Sequence, residues 1–366
     1  MVGCRFDAKN SLDRNYLFLA EQAGAQVHAD TQAVAVYPRR NGGYAIETQR
    51  PGAWLRKRPR SFTAGQVIFS AGALGTTRLL LEMRHTGLLP DLSPRLGHNT
   101  RTNSEAILGA TSRHTGTDYS EGVAITSSIH PEPHTHIEPV RYPRGSNVMG
   151  LLATILVDGD GRVPRQIRFL GQVVRHPIAF LRTLSLRRWA ERSVILLVMQ
   201  SLDNKIRLSL KKGLFGVSLK STQDSAQPNP TFIPVANEAA RVAAEAIGGF
   251  PSSALNEVLL DTPTTAHIIG GACIGAHPGE GVIDAYHRVF GHEGLHVADG
   301  SAVTGNLGAN PALTITAMTE RAMSFWPNNG DPDPRPMLGD HYSKVAPQPP
   351  RQPAVPADSR GGLHSY

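Results

Sequence analysis

Two side chains in the C-terminal third of the sequence have the types needed for chemistry on one hydroxyl group. His267 stands shortly before a double glycine, and Asn310 stands directly before Pro311 at the expected start of a helix. An imidazole titrates near neutral pH and can accept or share a hydroxyl proton, while a carboxamide can orient the oxygen. Held on two nearby turns, this pair predicts the oxidation of an alcohol by hydride transfer.

Each of these residues also has a purely structural interpretation. Asparagine before proline, ahead of a helical run over residues 312–323, is a natural N-cap. A side chain bonded to its own helix cannot also hold a substrate. His267 could equally be a buried histidine with satisfied hydrogen bonds. The surrounding glycines and proline favour the catalytic interpretation, in which the positive end of the helix dipole would stabilise negative charge in front of it.

A scaffold must hold this pair, and the first fifty residues predict part of it. Apolar residues at helical spacing predict a helix from Ser11 to a stop at Gly24. The turn sequence Asn41-Gly42-Gly43 predicts a hairpin. Alternating apolar residues predict the strands of a β-meander at residues 25–28, 33–37 and 44–48.

The next segment has the order strand, glycine turn, helix. The strand is expected at residues 67–69, and the helix covers residues 76–84 and ends near Gly87. This order is typical of a nucleotide-binding layer.

Composition excludes several classes of protein. The net charge is +7 and the pI is near 9.6, yet no zinc finger, recognition-helix pattern or aromatic RNA-binding motif accompanies the charge, so no nucleic acid is expected. Cys4 and Cys273 are too few for a disulfide framework and indicate a reducing compartment. No apolar run has bilayer-spanning length, and no signal-peptide pattern occurs. We therefore expect a cytoplasmic or membrane-surface location.

Much of the positive charge is concentrated between residues 165 and 192. This stretch mixes apolar and aromatic residues with arginines at positions Arg165, Arg168, Arg175, Arg182, Arg187, Arg188 and Arg192. A basic amphipathic segment of this kind could lie on an anionic membrane surface. It could also be a solvated helical face that packs on the rest of the protein.

Several segments, taken in order, resemble the glucose-methanol-choline (GMC) flavoprotein oxidoreductases, and within that family the cholesterol oxidases. The resemblance covers most of residues 3–326, though only loosely between about 100 and 250. The segments that carry it are NSLDRNYLFLAEQAGAQVHADTQAVAV, NGGYAIETQ, VIFSAGALGTTRLLLEMRHTGLLPDL, HIIGGACIG and GVIDAYHRVFGHEGLHVADGSAVTGNLGANPALTITAMTERAM.

The resemblance implies a reaction and its residues. His267 and Asn310 match the family's catalytic histidine and asparagine. Glu138, in HIEPVRYP, is similar to a glutamate that moves a proton between steroid carbons, although an ordinary surface glutamate is the alternative. The implied reaction oxidises a 3β-hydroxysteroid such as cholesterol, or another small alcohol, to a ketone, with FAD as cofactor and dioxygen or another electron acceptor as partner.

The resemblance also implies cofactor contacts, all of them through the main chain. Asp299 and Gly300 resemble the turn beside the flavin ribityl and pyrophosphate groups, where a bare backbone can approach closely. Ala312 would offer its backbone N–H to the isoalloxazine ring. Val34 stands where the family's β-meander contacts the adenine.

The expected fold class is α/β and α+β: an incomplete Rossmann-like FAD-binding domain with a β-meander, and a substrate domain on an antiparallel sheet. Residues 1–100 would form part of the FAD-binding domain and 101–255 the substrate domain. Residues 256–329 would return to the FAD-binding domain, and the proline-rich 330–366 would be disordered.

No G-x-G-x-x-G, the usual pyrophosphate-binding turn, occurs in this sequence. We therefore expect a C-terminal part of a longer enzyme, either a fragment or a truncated gene product. The alternative is a non-catalytic remnant or a steroid- or membrane-binding module that cannot bind FAD alone.

A cluster of histidines and glutamates could mimic a metal site. Its members are His130, Glu132, His134, His136 and Glu138. The sequence offers no defined ligand scaffold around them, so we expect a solvated polar loop and no metal.

Overall fold

The computed structural model describes residues 9–159, 161–213, 216–224, 226–263 and 265–355. Its strands are β1 Gln32–Pro38, β2 Tyr44–Gln49, β3 Arg60–Ala64, β4 Val67–Phe69, β5 Ala106–Ser112, β6 Ile129–Glu132, β7 Thr135–Val140, β8 Ala153–Ile155, β9 Ser193–Gln200, β10 Ile206–Gly213, β11 Gly216–Gln223, β12 Gly249–Ala254 and β13 Leu295–Val297.

The α-helices are α1 Phe18–Gln22, α2 Gly72–Thr86, α3 Arg165–Arg175, α4 Pro177–Thr183, α5 Trp189–Arg192, α6 Pro234–Ala246, α7 Leu255–Leu260 and α8 Ala312–Met323. A π-helical turn, Asp13–Leu17, leads into α1, and 3-10 turns occur at Asn147–Leu152 and Gly300–Ala302. This mixture of helices with antiparallel and parallel sheets confirms the expected fold class.

The predicted meander is present as the antiparallel sheet β1-β2-β3. The hairpin turn joins β1 and β2 as expected, while β3 was not predicted. The strand expected at 25–28 is wrong: these residues are exposed and have no helix or strand assignment. Alternation alone does not make a strand, because backbone groups need a neighbouring strand to pair with.

The predicted order of strand, glycine turn and helix is also present. β4 pairs in parallel with β13, which lies more than two hundred residues later in the chain. Helix α2 follows β4 and ends at Gly87, whose φ of 76° is the left-handed value of a helix C-cap. Buried apolar residues from the meander, α2 and the segment after residue 272 form one core.

A second layer is a six-stranded sheet in the order β6-β7-β9-β5-β12-β8, with antiparallel pairing throughout. Helix α6 packs on it through Ala236, Ala240 and Ala244, which repeat every fourth residue and are buried. Small side chains at this spacing let the helix backbone approach the sheet closely. The residues directly before β5 and the strand β7 contribute to the candidate site described below.

Helices α3 and α4 lie beside the edge strand β8. Arg165, at the start of α3, is buried and donates hydrogen bonds to the carbonyls of Val157 and Thr231. Its guanidinium also lies 4.0 Å from the buried carboxylate of Glu257. Burial raises the pKa of Glu257 to about 7, despite the opposing effect of the backbone N–H of Ile107 and of Arg165.

Between residues 330 and 355 the chain has no helix or strand, but it contacts the folded body. Arg335 is buried and lies over the ring of Trp326, and the hydroxyl of Tyr286 donates to the carbonyl of Ser343. Residues 356–366 of the expected disordered tail lie outside the described residues, as does Cys4. Within the described ranges, no helix is both long and apolar enough to cross a membrane.

Candidate active site

His267 lies on a segment that is tied to residues 99–102. The main chains of Arg101 and Ile269 exchange two hydrogen bonds, of 2.8 and 3.0 Å. Gly270 has a φ of 79°, and a Cβ at this position would collide with the carbonyl oxygen of Asn99. Only glycine tolerates both that backbone conformation and that approach. The double glycine therefore brings the His267 segment against residues 99–101, which precede β5 of the six-stranded sheet.

The imidazole of His267 hydrogen-bonds a carboxylate that the sequence analysis missed. Its Nδ1 is bonded to Oε1 of Glu105, which has no exposed side-chain surface. The other carboxylate oxygen accepts a hydrogen bond from the backbone N–H of Ala266 at 2.5 Å. Because a carboxylate accepts, the proton of the imidazole is held on Nδ1. No described residue hydrogen-bonds Nε2, so that nitrogen remains available as an acceptor.

Asn310 does not cap its own helix. The N-cap residue of α8 is Pro311, and no side chain bonds to the first helical amides. The Nδ2 of Asn310 instead donates to both carboxylate oxygens of Glu138, at 2.9 Å each. The N-cap alternative is therefore wrong. The amide nitrogen of Asn310 therefore faces Glu138 on the sheet. Asn310 is exposed, and its amide oxygen is free to bind another partner.

Glu138 is a buried residue of β7 with 6% exposure, so the surface-glutamate alternative is wrong. The Nε2 atom of His136 lies 3.6 Å from Oε1 of Glu138. The other ring nitrogen of His136 lies 3.1 Å from the carbonyl of Gly308, and its ring stacks on that of His130. Within the described residues no group of three or more potential ligands forms a metal site.

The loop before Asn310 is held by Asn103, which the sequence analysis also missed. Its Nδ2 donates to the carbonyl of Ala309 at 2.8 Å, and its Oδ1 accepts from the backbone N–H groups of Leu307 and Gly308 at 3.1 and 3.4 Å. Asn103 and Ser104 are buried and have φ values of 56° and 47°. A non-glycine pair in the left-handed region is uncommon and is kept by these bonds.

Residues 103–105 thus support both members of the candidate pair. Asn103 holds the loop of Asn310, and Glu105 holds the ring of His267. No hydrogen bond joins His267 to Asn310 directly within the described chain. The one available sequence signal was the run Thr102-Asn103-Ser104-Glu105, which places four polar residues directly before an apolar strand.

Asp299 uses its side chain inside the fold. One oxygen accepts from the backbone N–H and the hydroxyl of Ser301, at 2.8 and 2.5 Å, and the other accepts from the hydroxyl of Thr76 at 2.5 Å. Gly300 is buried in the following 3-10 turn. This turn follows β13 in the chain and packs against α2, to which the bond between Thr76 and Asp299 joins it. A ligand bound at the turn would contact main-chain atoms.

Val34 and Ala312 also present main-chain groups. The register of β1 on β2 steps from Ala33 paired with Thr48 to Ala35 paired with Glu47, so Val34 is an extra residue in a β-bulge. A bulged residue is left out of the ladder. Ala312 is exposed in the first turn of α8, where backbone N–H groups have no intrahelical partner.

Comparisons with known proteins confirm the family resemblance. Residues 217–319 match the GMC oxidoreductase family (its C-terminal domain). The chain is 49% identical to a cholesterol oxidase of Mycobacterium tuberculosis over 99% of its own length and 64% of the relative's. It is 41% identical to a cholesterol oxidase of Acinetobacter baumannii over 89% of its length and 60% of the relative's. The chain therefore spans less than two thirds of these relatives.

Solved structures were matched as well. One is pyridoxine 4-oxidase from Mesorbium loti, at 15% identity and a TM-score of 0.44, covering 80% of this chain and 56% of the other. Another is an FAD-dependent oxidoreductase from Chaetomium thermophilum, at 14% identity and a TM-score of 0.46, covering 85% and 63%.

Proposed function

We propose, from the premise that this chain carries the C-terminal domain of the GMC oxidoreductases, that it contributes the alcohol-oxidising residues of an FAD-dependent enzyme. One observation carries the proposal. His267 hydrogen-bonds the buried carboxylate of Glu105, directly before β5, and Asn310 hydrogen-bonds the buried carboxylate of Glu138, on β7 of the same sheet. Two side chains held in this way are preorganised, which is what a site that orients a C–H bond for transfer requires.

We assign proton transfer to Nε2 of His267. With the proton of the neutral ring held on Nδ1 by Glu105, Nε2 can accept the hydroxyl proton while the carbon loses its hydride. The imidazolium that forms is stabilised by the carboxylate behind it, since the two groups then have opposite charges. Bound FAD would supply the hydride acceptor, and dioxygen or another acceptor would reoxidise it.

We assign orientation of the substrate oxygen to Asn310. Because its Nδ2 is bonded to Glu138, its Oδ1 is the atom left to interact with the substrate hydroxyl, and it can only accept. A hydroxyl group has a single proton, so we propose that Oδ1 accepts this hydrogen bond when the substrate binds and that Nε2 of His267 takes the proton as the hydride leaves. The amide is neutral, so it fixes direction without competing for the proton. We propose that Glu138 moves a proton between steroid carbons after oxidation, which would shift the double bond of the ketone.

The candidate cofactor-binding residues suit FAD because they offer main-chain groups. The bulge at Val34, the buried Gly300 turn and the uncapped start of α8 at Ala312 each offer backbone groups rather than side chains. The exposed amides of α8 carry the positive end of the helix dipole, which suits a ring that gains negative charge on reduction. We propose these residues, with Asp299, as the chain's contacts to the cofactor.

The sterol assignment rests on the relatives. Two of them, at 49% and 41% identity, are named cholesterol oxidases. We propose a 3β-hydroxysteroid such as cholesterol as the substrate class.

The test is to purify the chain with FAD, record its visible absorbance, and assay cholesterol oxidation with analysis of both ketone isomers. Bound flavin together with ketone formation is expected. A colourless, inactive but folded chain would support the alternative of a non-catalytic remnant. Flavin binding without activity on any sterol, but with activity on another alcohol, would overturn the substrate class alone.

A further inference from the structure

Helices α3 and α4 are apolar on two opposite sides. On the inner side, Phe169, Val173, Ala179 and Phe180 pack against a small core that includes Val258. This burial accounts for the position of the helices beside β8. A surface helix ordinarily has a polar face opposite the buried one, and these helices do not follow that rule.

The outer side carries large apolar side chains at helical spacing. We call this set the outer stripe: Ile167, Leu170, Val174, Ile178, Leu181 and Leu184, with exposed fractions of 57, 62, 81, 66, 64 and 52%. An open groove of about 950 Å³ runs along its α3 part. A contiguous exposed apolar surface of this kind marks an interaction site.

Positive charge dominates the segment that carries the outer stripe, and the one acidic residue that lines the groove, Asp158, is paired with Arg241. Residues 161–190 contain seven arginines and no aspartate or glutamate. Arg165 is buried on the inner side, but Arg175 and Arg182 lie in the last turns of α3 and α4 and form no ion pair with any described residue. The outer stripe is therefore bordered by unneutralised positive charge.

We infer that the outer stripe docks on the surface of an anionic lipid bilayer. A nucleic acid would complement the arginines but would leave six large apolar side chains against a phosphate backbone. A bilayer surface accepts both, because apolar side chains enter the boundary of the acyl chains while arginines contact anionic headgroups. The helices are 11 and 7 residues long, which suits a position in the plane of the interface.

The inference does not depend on catalysis, so binding is measured directly. The full chain is sedimented with vesicles of phosphatidylcholine alone and with vesicles in which phosphatidylserine replaces part of it. We expect binding to the anionic vesicles that weakens as salt is added. Equal binding to both vesicles, or binding to neither, would overturn the inference.

Two variants separate the contributions of charge and apolar surface. Arg175→Glu with Arg182→Glu should reduce the partition coefficient by roughly 25-fold or more, since each arginine near the surface contributes about fivefold. The matched control is Lys211→Glu with Lys212→Glu, which makes the same charge change on the exposed part of β10. Equal losses in the two pairs would show attraction by net charge only and would contradict the inference.

The apolar variant combines Leu170→Ser and Val174→Ser, with Val242→Ser on the exposed face of α6 as control. Only the first should abolish binding. A bimane probe on Val174→Cys, in a chain that also carries Cys4→Ser and keeps the buried Cys273, gives a second reading, because its emission should shift to the blue with anionic vesicles alone. If the unchanged chain is a dimer without lipid and the apolar variant is a monomer, a second copy covers the stripe and the inference is wrong.

Discussion

His267 and Asn310 each hydrogen-bond a buried carboxylate, Glu105 directly before β5 and Glu138 on β7, but the two pairs differ in charge. The partner of Glu105 is an imidazole that can become positive, whereas the partner of Glu138 is an amide that stays neutral. In these two pairs, Glu105 can therefore control where the proton of His267 resides, whereas Glu138 controls where the amide of Asn310 points. The His267–Glu105 pair therefore acts through charge, whereas the Asn310–Glu138 pair acts through the orientation of a neutral amide.

The largest expected effect is that of His267→Ala. Removing a general base lowers kcat by about 100- to 10,000-fold, and here it also leaves Glu105 buried without its partner. Flavin absorbance should be retained, because the residue contacts no proposed cofactor position. Turnover equal to that of the unchanged protein would remove His267 from the proposed mechanism, and the charged pair with Glu105 would then have no catalytic role.

Asn310→Ala should lower kcat by about 100-fold through misplacement of the hydroxyl. Asn310→Asp should be more harmful, because a second carboxylate would lie against the buried one of Glu138 and repel it. Steady-state kinetics on both variants, with melting temperatures, test this order. An aspartate variant that is more active than the alanine variant would show that position 310 does not require a neutral amide.

Glu105→Gln should lower kcat by roughly 10- to 100-fold, the effect seen when the hydrogen-bond partner of a metal-bound histidine is removed. An amide can accept or donate, so Nδ1 of His267 would no longer be fixed as the protonated nitrogen. Nitrogen-15 spectra of labelled histidine should show a single tautomer in the unchanged protein and a mixture in the variant. Glu257→Gln is the matched control, since it neutralises a buried carboxylate that does not contact His267. Identical spectra in all three proteins would leave Glu105 without a positioning role.

Glu257 supplies the smallest expected effect, which is on stability. Its folded-state pKa of about 7 lies above its usual value of 4.5, so the folded state binds a proton more tightly than the unfolded state. Stability should therefore fall as pH rises from about 4.5 to about 7 and then stay level, by up to about 3 kcal/mol. Urea unfolding at several pH values should show this slope, and Glu257→Gln should remove it. The exposed Glu245→Gln on α6 should leave the slope unchanged.

Local patterns predicted the local elements well. Helix α8 occupies the expected residues 312–323, and α2 ends at the expected Gly87. These features depend on helical periodicity and on a glycine at a left-handed C-cap, both of which a short window of sequence contains. The strand β3 lacks such a pattern, because it forms an exposed edge of the meander and pairs only with β2.

The supports of the candidate site could not be predicted in the same way. Glu105 is separated from His267 by 162 residues, and Glu138 from Asn310 by 172. The polar run before β5 marks Glu105 as unusual, but nothing in it identifies His267 as the partner. Its role arises only when the double glycine brings the later segment against the sheet. The catalytic and cofactor roles of His267, Asn310, Glu138, Val34, Asp299, Gly300 and Ala312 stay predictions.

The segment of residues 103–105, which begins with the left-handed pair Asn103 and Ser104, has a consequence for how this protein can change over evolution. One tripeptide anchors both the imidazole and the carboxamide, so an insertion or deletion of a single residue there would displace the two anchors together. This short stretch should therefore keep its length. Any change of substrate would then have to arise from residues outside it, with the spacing of the imidazole and the carboxamide kept.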